Sequence, residues 1–103
     1  MTQAIFVPKV NVVAAIDRVI AWCIESQART PDAAVEEEIK DLQILRLQVQ
    51  QEWPLSQGVK ETIKIGPFAV KNIADWNTGL SKALTILHHV LKHDGDSIGR
   101  LGT

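Results

Sequence analysis

KETIKIGPFAVKN, residues 60–72, is the stretch on which the fold turns. If Gly66 and Pro67 form a two-residue turn, Ile65 opposes Phe68 and Ile63 opposes Val70 on one face. Thr62, Lys64, Ala69 and Lys71 then take the other face. Glycine at the first central position suits a type II′ turn, and the fixed φ of proline is tolerable at the second. The matched apolar faces predict a β-hairpin, which needs helices to pack on because two strands alone are marginal. The alternative is a short helix over residues 57–65, broken by Gly66 and Pro67. The hairpin gives a mainly α fold, a three-helix domain with a β-hairpin inserted before the last helix. The alternative gives an all-α four-helix bundle.

Immediately upstream lies PDAAVEEEIKDLQILRLQVQQEW, residues 31–53, bounded by Pro31 and Pro54 and read as one helix. Thr30 is a good N-cap and Pro31 suits the first helical position. Asp32, Glu36, Glu37 and Glu38 put negative charge at the positive end of the dipole. At the far end Pro54 disfavours helical geometry at Trp53. At about 100° per residue, Val35, Ile39, Leu42, Leu45, Val49 and Trp53 form a seam close to heptad spacing, the expected core face. Arg46 projects into that face and needs a partner, such as Glu25 or Glu38, or a route to water. Ile44 and Leu47 project to the opposite side, among Gln43, Gln48 and Gln51, so the helix carries two apolar faces.

The flanking segments complete a single compact domain over residues 1–103, as expected for a chain of this length. Residues 1–10 read as an N-terminal arm, extended over 4–10, where Pro8 opposes helix among β-branched and aromatic residues. Asn11 can cap a helix over 12–28 whose apolar residues cover more than half its circumference, which calls for burial on two sides. Its remaining strip, Ala14, Arg18, Ala21 and Glu25, is small enough to let another helix approach. After residue 72 a helix over 73–93 is expected, with Asn72 as cap and Ile73, Trp76, Leu80, Ala83, Leu84, Leu87, Val90 and Leu91 inward. Gly79 costs about 1 kcal/mol relative to alanine in mid-helix, so the element would otherwise begin at Asn77 or Thr78. Residues 94–103, DGDSIGRLGT, read as a flexible tail.

Composition narrows the function classes. Eleven basic and twelve acidic residues give a formal charge of -1, with no basic run to answer a phosphate backbone, so no nucleic-acid partner is expected. The N-terminus lacks the features of a signal peptide, and the apolar run at 12–24 is too short to span a bilayer and contains Asp17 and Arg18. A soluble, cytoplasmic protein without membrane partners is the expectation. Cys23, the single cysteine, has apolar neighbours and reads as an inert core thiol.

Three patterns bear on chemistry. His89 and His93 are spaced to hold a metal ion from adjacent turns, with Asp94 and Asp96 nearest. Basic residues near a helix C-terminus equally complement its dipole, and no metal or cofactor is assigned. Glu37, Glu38 and Asp41, in the acidic run from Glu36, are closely spaced carboxylates of the kind that hold Mg²⁺. Over about five residues they resemble the E-E-x-x-E/D element of the all-α nucleotide pyrophosphohydrolases of the MazG-like group. That resemblance implies a Mg²⁺-dependent nucleotide hydrolase, whose second element, E-x-x-D on a later helix, is represented here by Asp75 alone. Ser26, Ser56, Ser81 and Ser97 lie in no nucleophile motif, and no catalytic residue is assigned.

The third pattern is a surface. Ile44 and Leu47, with Gln43, Gln48, Gln51 and Arg46 beside them, form an apolar strip that must be covered by the N-terminal arm, by the hairpin or by a second copy. The expected function is a non-enzymatic protein-interaction module, such as a small inhibitor, an immunity-type or an adaptor protein, presenting a helical surface as a homodimer. A small apolar ligand held between Trp22, Trp53 and Trp76 is the alternative. A divergent Mg²⁺-dependent pyrophosphohydrolase ranks below both.

Overall fold

The computed structural model describes residues 8–93, and its regular elements are all helices. They are α1 (Lys9–Arg29), α2 (Ala33–Gln51), α3 (Gln57–Thr62), α4 (Ile65–Asn72) and α5 (Thr78–Lys92). Three long helices are thus joined by a pair of short ones between α2 and α5.

The β-hairpin expected at 60–72 does not form, and no strand occurs among the described residues. Nor do Gly66 and Pro67 break a helix, because both sit in the first turn of α4. The first intrahelical bond there runs from the Phe68 N–H to the Lys64 carbonyl at 3.0 Å. The N–H groups before it have no partner within the helix, so a proline at position 67 sacrifices nothing. Ile65, Ala69 and Ile73 are fully buried while Val70 faces solvent. That is a four-residue period, whereas a hairpin needs Val70 inside with Ile63. Helical pairing also satisfies the backbone within the segment, where a two-stranded ribbon would leave its outer edges unpaired. The break falls instead at Ile63 and Lys64, with Ser56 capping α3 through a 3.3 Å bond to the Val59 N–H.

The other boundaries move by a few residues, each for a local reason. Helix α1 begins at Lys9, with the Pro8 carbonyl accepting the N–H groups of Asn11 (2.9 Å) and Val12 (3.2 Å). Lys9 and Val10 therefore belong to the helix and not to an extended arm, and Asn11 is no cap. The rest of the expected arm, residues 1–7, and the expected tail, 94–103, lie outside the described residues. In α2 the cap is Asp32, whose Oδ1 accepts the Ala34 N–H at 2.8 Å, in place of Thr30. Helix α5 starts at Thr78, with Asn77 Oδ1 accepting the Leu80 N–H at 3.2 Å. This keeps Gly79 in the first turn, and residues 73–77 form a turn in place of the expected helix start.

Helix α1 packs between α2 and α5, and α4 closes against α5 and α2. The Lys9 ammonium donates to the Gln50 carbonyl at 2.9 Å, so the start of α1 meets the end of α2. Asn77 at the head of α5 donates to the Ser26 hydroxyl near the end of α1 at 3.5 Å. Both neighbours therefore run antiparallel to α1. The core is built from Val12, Ile16, Val19 and Cys23 of α1, Val35, Leu42, Leu45 and Val49 of α2, and Leu80, Leu84, Leu87 and Leu91 of α5. Some expectations of burial fail. Trp76, placed inward by its periodicity, is substantially exposed because it falls in the turn before α5, and Trp22 and Ile24 on the apolar surface of α1 are exposed as well. No helix among the described residues is long and apolar enough to cross a membrane.

Candidate functional site

The outer face of α2 carries the residues singled out from the sequence. Ile44 and Leu47 are 56% and 58% exposed, so no described element covers them. Gln43 and Gln51 are exposed beside them, and Gln48 is half-buried. Glu37, Lys40, Ile44, Leu47 and Gln51 alternate spacings of three and four residues, which sets them in one line along the helix. Ile44 also borders a cleft of about 100 Å³ that reaches to Thr62, Ile63 and Lys64 at the α3–α4 junction.

Arg46 is not on that line. Its guanidinium crosses to α1 and grips Asp17 in a two-pronged pair, Nε to Oδ1 at 2.5 Å and Nη2 to Oδ2 at 3.2 Å. The expected partners, Glu25 and Glu38, are not used: Glu25 pairs with Arg29 at 3.1 Å on its own helix. Hydrogen bonding to Asp17 raises the Arg46 pKa further. Both side chains are partly exposed, so the charges reach water as well as each other.

A second apolar surface lies between α1 and α5, a groove of about 400 Å³. Buried Val19 and Leu87, half-buried Ala15 and Ala83, and half-exposed Trp22 and Ile86 line it. The Trp22 indole lies close over Gly79, where a β-carbon would come within 3.3 Å of the ring. Arg18 is the one charged lining residue, and no ion pair or hydrogen bond engages it among the described residues. Trp53 and Trp76 do not line this groove. Trp53 packs on the core after α2, and the Trp76 indole N–H donates to the Asn72 carbonyl at 3.1 Å. Of the three tryptophans, Trp22 alone lines this groove.

The chain matches no protein-family model, no curated protein and no solved structure.

The acidic run is split by the fold. Glu37 is exposed and Asp41 half-buried, but Glu38 is fully buried with both carboxyl oxygens lacking a hydrogen-bond partner among the described residues. Burial, and then the nearby charges of Asp41 and Glu37, push its pKa up to about 8, with Lys64 pulling weakly the other way. The carboxyl is therefore mostly protonated at pH 7. No three histidine, cysteine, aspartate or glutamate side chains among the described residues converge to hold a metal ion. Sequence reasoning missed this burial although a signal existed: Glu38 lies three residues after Val35 and four before Leu42, in the middle of the core seam. Cys23 is buried, and desolvation together with Glu38 pushes its thiol up to about 12, which holds it unreactive.

The histidines divide likewise. His89 and His93 stack on the surface with ring centroids 5.7 Å apart and planes 19° from parallel. His88 turns inward, and its Nδ1 accepts the Gly66 N–H at 3.2 Å. Asp94 and Asp96 lie outside the described residues.

Proposed function

We propose that the protein is a non-enzymatic interaction module, of the small inhibitor, immunity-type or adaptor kind, that presents the outer face of α2 and pairs with a second copy through it. The observation that carries this is the exposure of Ile44 and Leu47 by more than half each on a regular helix. Exposed apolar pairs on a rigid element favour association over solvation. A two-fold axis between Leu45 and Arg46 would set Ile44 of one copy against Leu47 of the other in antiparallel α2 helices. The same axis sets Lys40 against Gln51, so no like charges meet along the line. The buried, mostly protonated Glu38 weighs against Glu37, Glu38 and Asp41 acting together on Mg²⁺.

Sedimentation velocity over a hundred-fold range of concentration tests the proposal. Dimer is expected for the native chain, and monomer for Ile44→Glu and Leu47→Glu with unchanged helical circular dichroism. A native chain that stays monomeric throughout overturns self-pairing through α2.

A further inference from the structure

The groove between α1 and α5 lies apart from the α2 face, and its chemistry points to a different occupant. We propose that it binds an apolar molecule bearing a single acidic group, of the aliphatic monocarboxylate class, with the chain in the groove against Val19, Ala83 and Leu87 and the head at Arg18. Because the two sites share no residue, this stands or falls independently of the α2 proposal.

Three observations carry it. The first is shape. The groove of about 400 Å³ lies within the range of small-ligand sites, roughly 300 to 1,000 Å³. It lies between two packed helices, each of which lends it one small side chain, Ala15 of α1 and Ala83 of α5. From Ala15 to Trp22 it runs about 10 Å at 1.5 Å per residue, long enough for a short alkyl chain.

The second is lining. Val19, Leu87, Val90, Ile86 and the Trp22 ring are apolar, and the bare Gly79 lets the indole come close to the head of α5. An alkyl chain loses no hydrogen bond on entering such a site, and burial of its surface drives binding.

The third is charge. Arg18 alone brings charge to the lining, and no acidic residue lines the groove. Lys82, one turn before Ile86, adds positive charge to the same outer edge of α5. A guanidinium beside apolar walls, engaged by no described acid, selects a carboxylate that can accept two of its N–H groups.

Isothermal titration of the full chain with decanoate, decan-1-ol and decylamine, all below their micelle concentrations, tests the proposal. Decanoate is expected to bind at least about ten-fold more tightly than decan-1-ol, the ratio a single charge-assisted contact supplies. Arg18→Gln is expected to erase that ratio while leaving decan-1-ol binding in place. Ala83→Phe fills the groove from the α5 side and is expected to abolish binding of all three. Ile86→Asp, on the exposed rim, repels the carboxylate and gives a second variant should Ala83→Phe not fold. Equal affinity for decanoate and decylamine overturns the assignment of Arg18, and binding undiminished in Ala83→Phe and Ile86→Asp overturns the groove as the site. Co-sedimentation with phosphatidylglycerol vesicles, without binding of monomeric decanoate, would make the face a membrane contact and overturn the ligand site. A change of oligomeric state in Ile86→Asp with no decanoate binding by the native chain would make it a protein contact, with the same consequence.

Discussion

His88 Nδ1 accepts the Gly66 N–H at 3.2 Å, and a β-carbon at position 66 would stand only 2.9 Å from the Cβ and Cγ of His88. The first turn of α4 is held to α5 by one residue with no side chain and one with a free ring nitrogen. The bond satisfies an N–H that helix geometry leaves without a partner, and the absent side chain is what permits the approach. Gly66→Ala is expected to destabilise the fold by about 1 to 3 kcal/mol, the usual penalty of overpacking. Urea denaturation measures it, with Gly58→Ala as the control, because nothing lies within 4 Å of a β-carbon there. An equal effect at the two positions would show that close packing is not the cause.

The same contact predicts a loss of stability in acid. Burial lowers the His88 pKa from 6.5, and the charges of Lys92, His89 and His93 lower it further. With its folded value below its unfolded one, the unfolded chain takes the proton first, so stability present above pH 6.5 is lost as pH falls through the folded value. Protonation also turns the acceptor nitrogen into a donor aimed at the Gly66 N–H. An NMR titration is expected to find the His88 midpoint below 6.5, with the Gly66 amide shifting in step.

Glu38 acts in the opposite direction. Its pKa rises from 4.5 to about 8 on folding, so its contribution is fully present below pH 4.5 and lost as pH rises through about 8. At 1.36 kcal/mol per unit the whole loss is on the order of 5 kcal/mol. Glu38→Met, which keeps the volume and removes the carboxyl, is expected to raise Tm by at least about 10 °C at pH 8 and to flatten the profile between pH 6.5 and 8. Between pH 4.5 and 6.5 the His88 and Glu38 effects oppose each other, so the acid limb of His88 is read cleanly in the Glu38→Met background. A variant no more stable than the native chain at pH 8 would show that Glu38 finds a partner in solution.

Arg46 and Asp17 join α2 to α1 through half-exposed side chains. Such pairs are screened by salt and add little to stability. Arg46→Met is expected to keep the fold and to keep whatever dimer the native chain forms, since the guanidinium points to α1 and away from Ile44 and Leu47. Its melting temperature should also respond less to added sodium chloride than that of the native chain. Loss of the dimer in this variant, with the fold intact, would place Arg46 in recognition.

Asn77 closes the head of α5 and ties it to Ser26 of α1. Removing a cap of this kind costs about 1 kcal/mol. Asn77→Ala is expected to show that loss by denaturant titration, and Asn77→Asp, which retains the accepting oxygen, most of the recovery.

Local pattern alone determined a good deal of this molecule. The seam of Val35, Leu42, Leu45 and Val49, the outward position of Ile44 and Leu47 and the core thiol of Cys23 all follow from helical period. Tertiary structure decided what depends on contacts between distant residues. Residues 60–72 hold an alternation that fits two strands, and they become helical because the N–H at Gly66 finds His88 twenty-two residues away and because Ile65, Ala69 and Ile73 find a core to enter. Arg46 finds Asp17 across twenty-nine residues, a pairing no helical projection specifies. Glu38 is buried because the packing of α2 against α1 and α4 outweighs the preference of one carboxyl for water. Periodicity states which side of a helix is apolar, and only the arrangement of its neighbours states which side is covered.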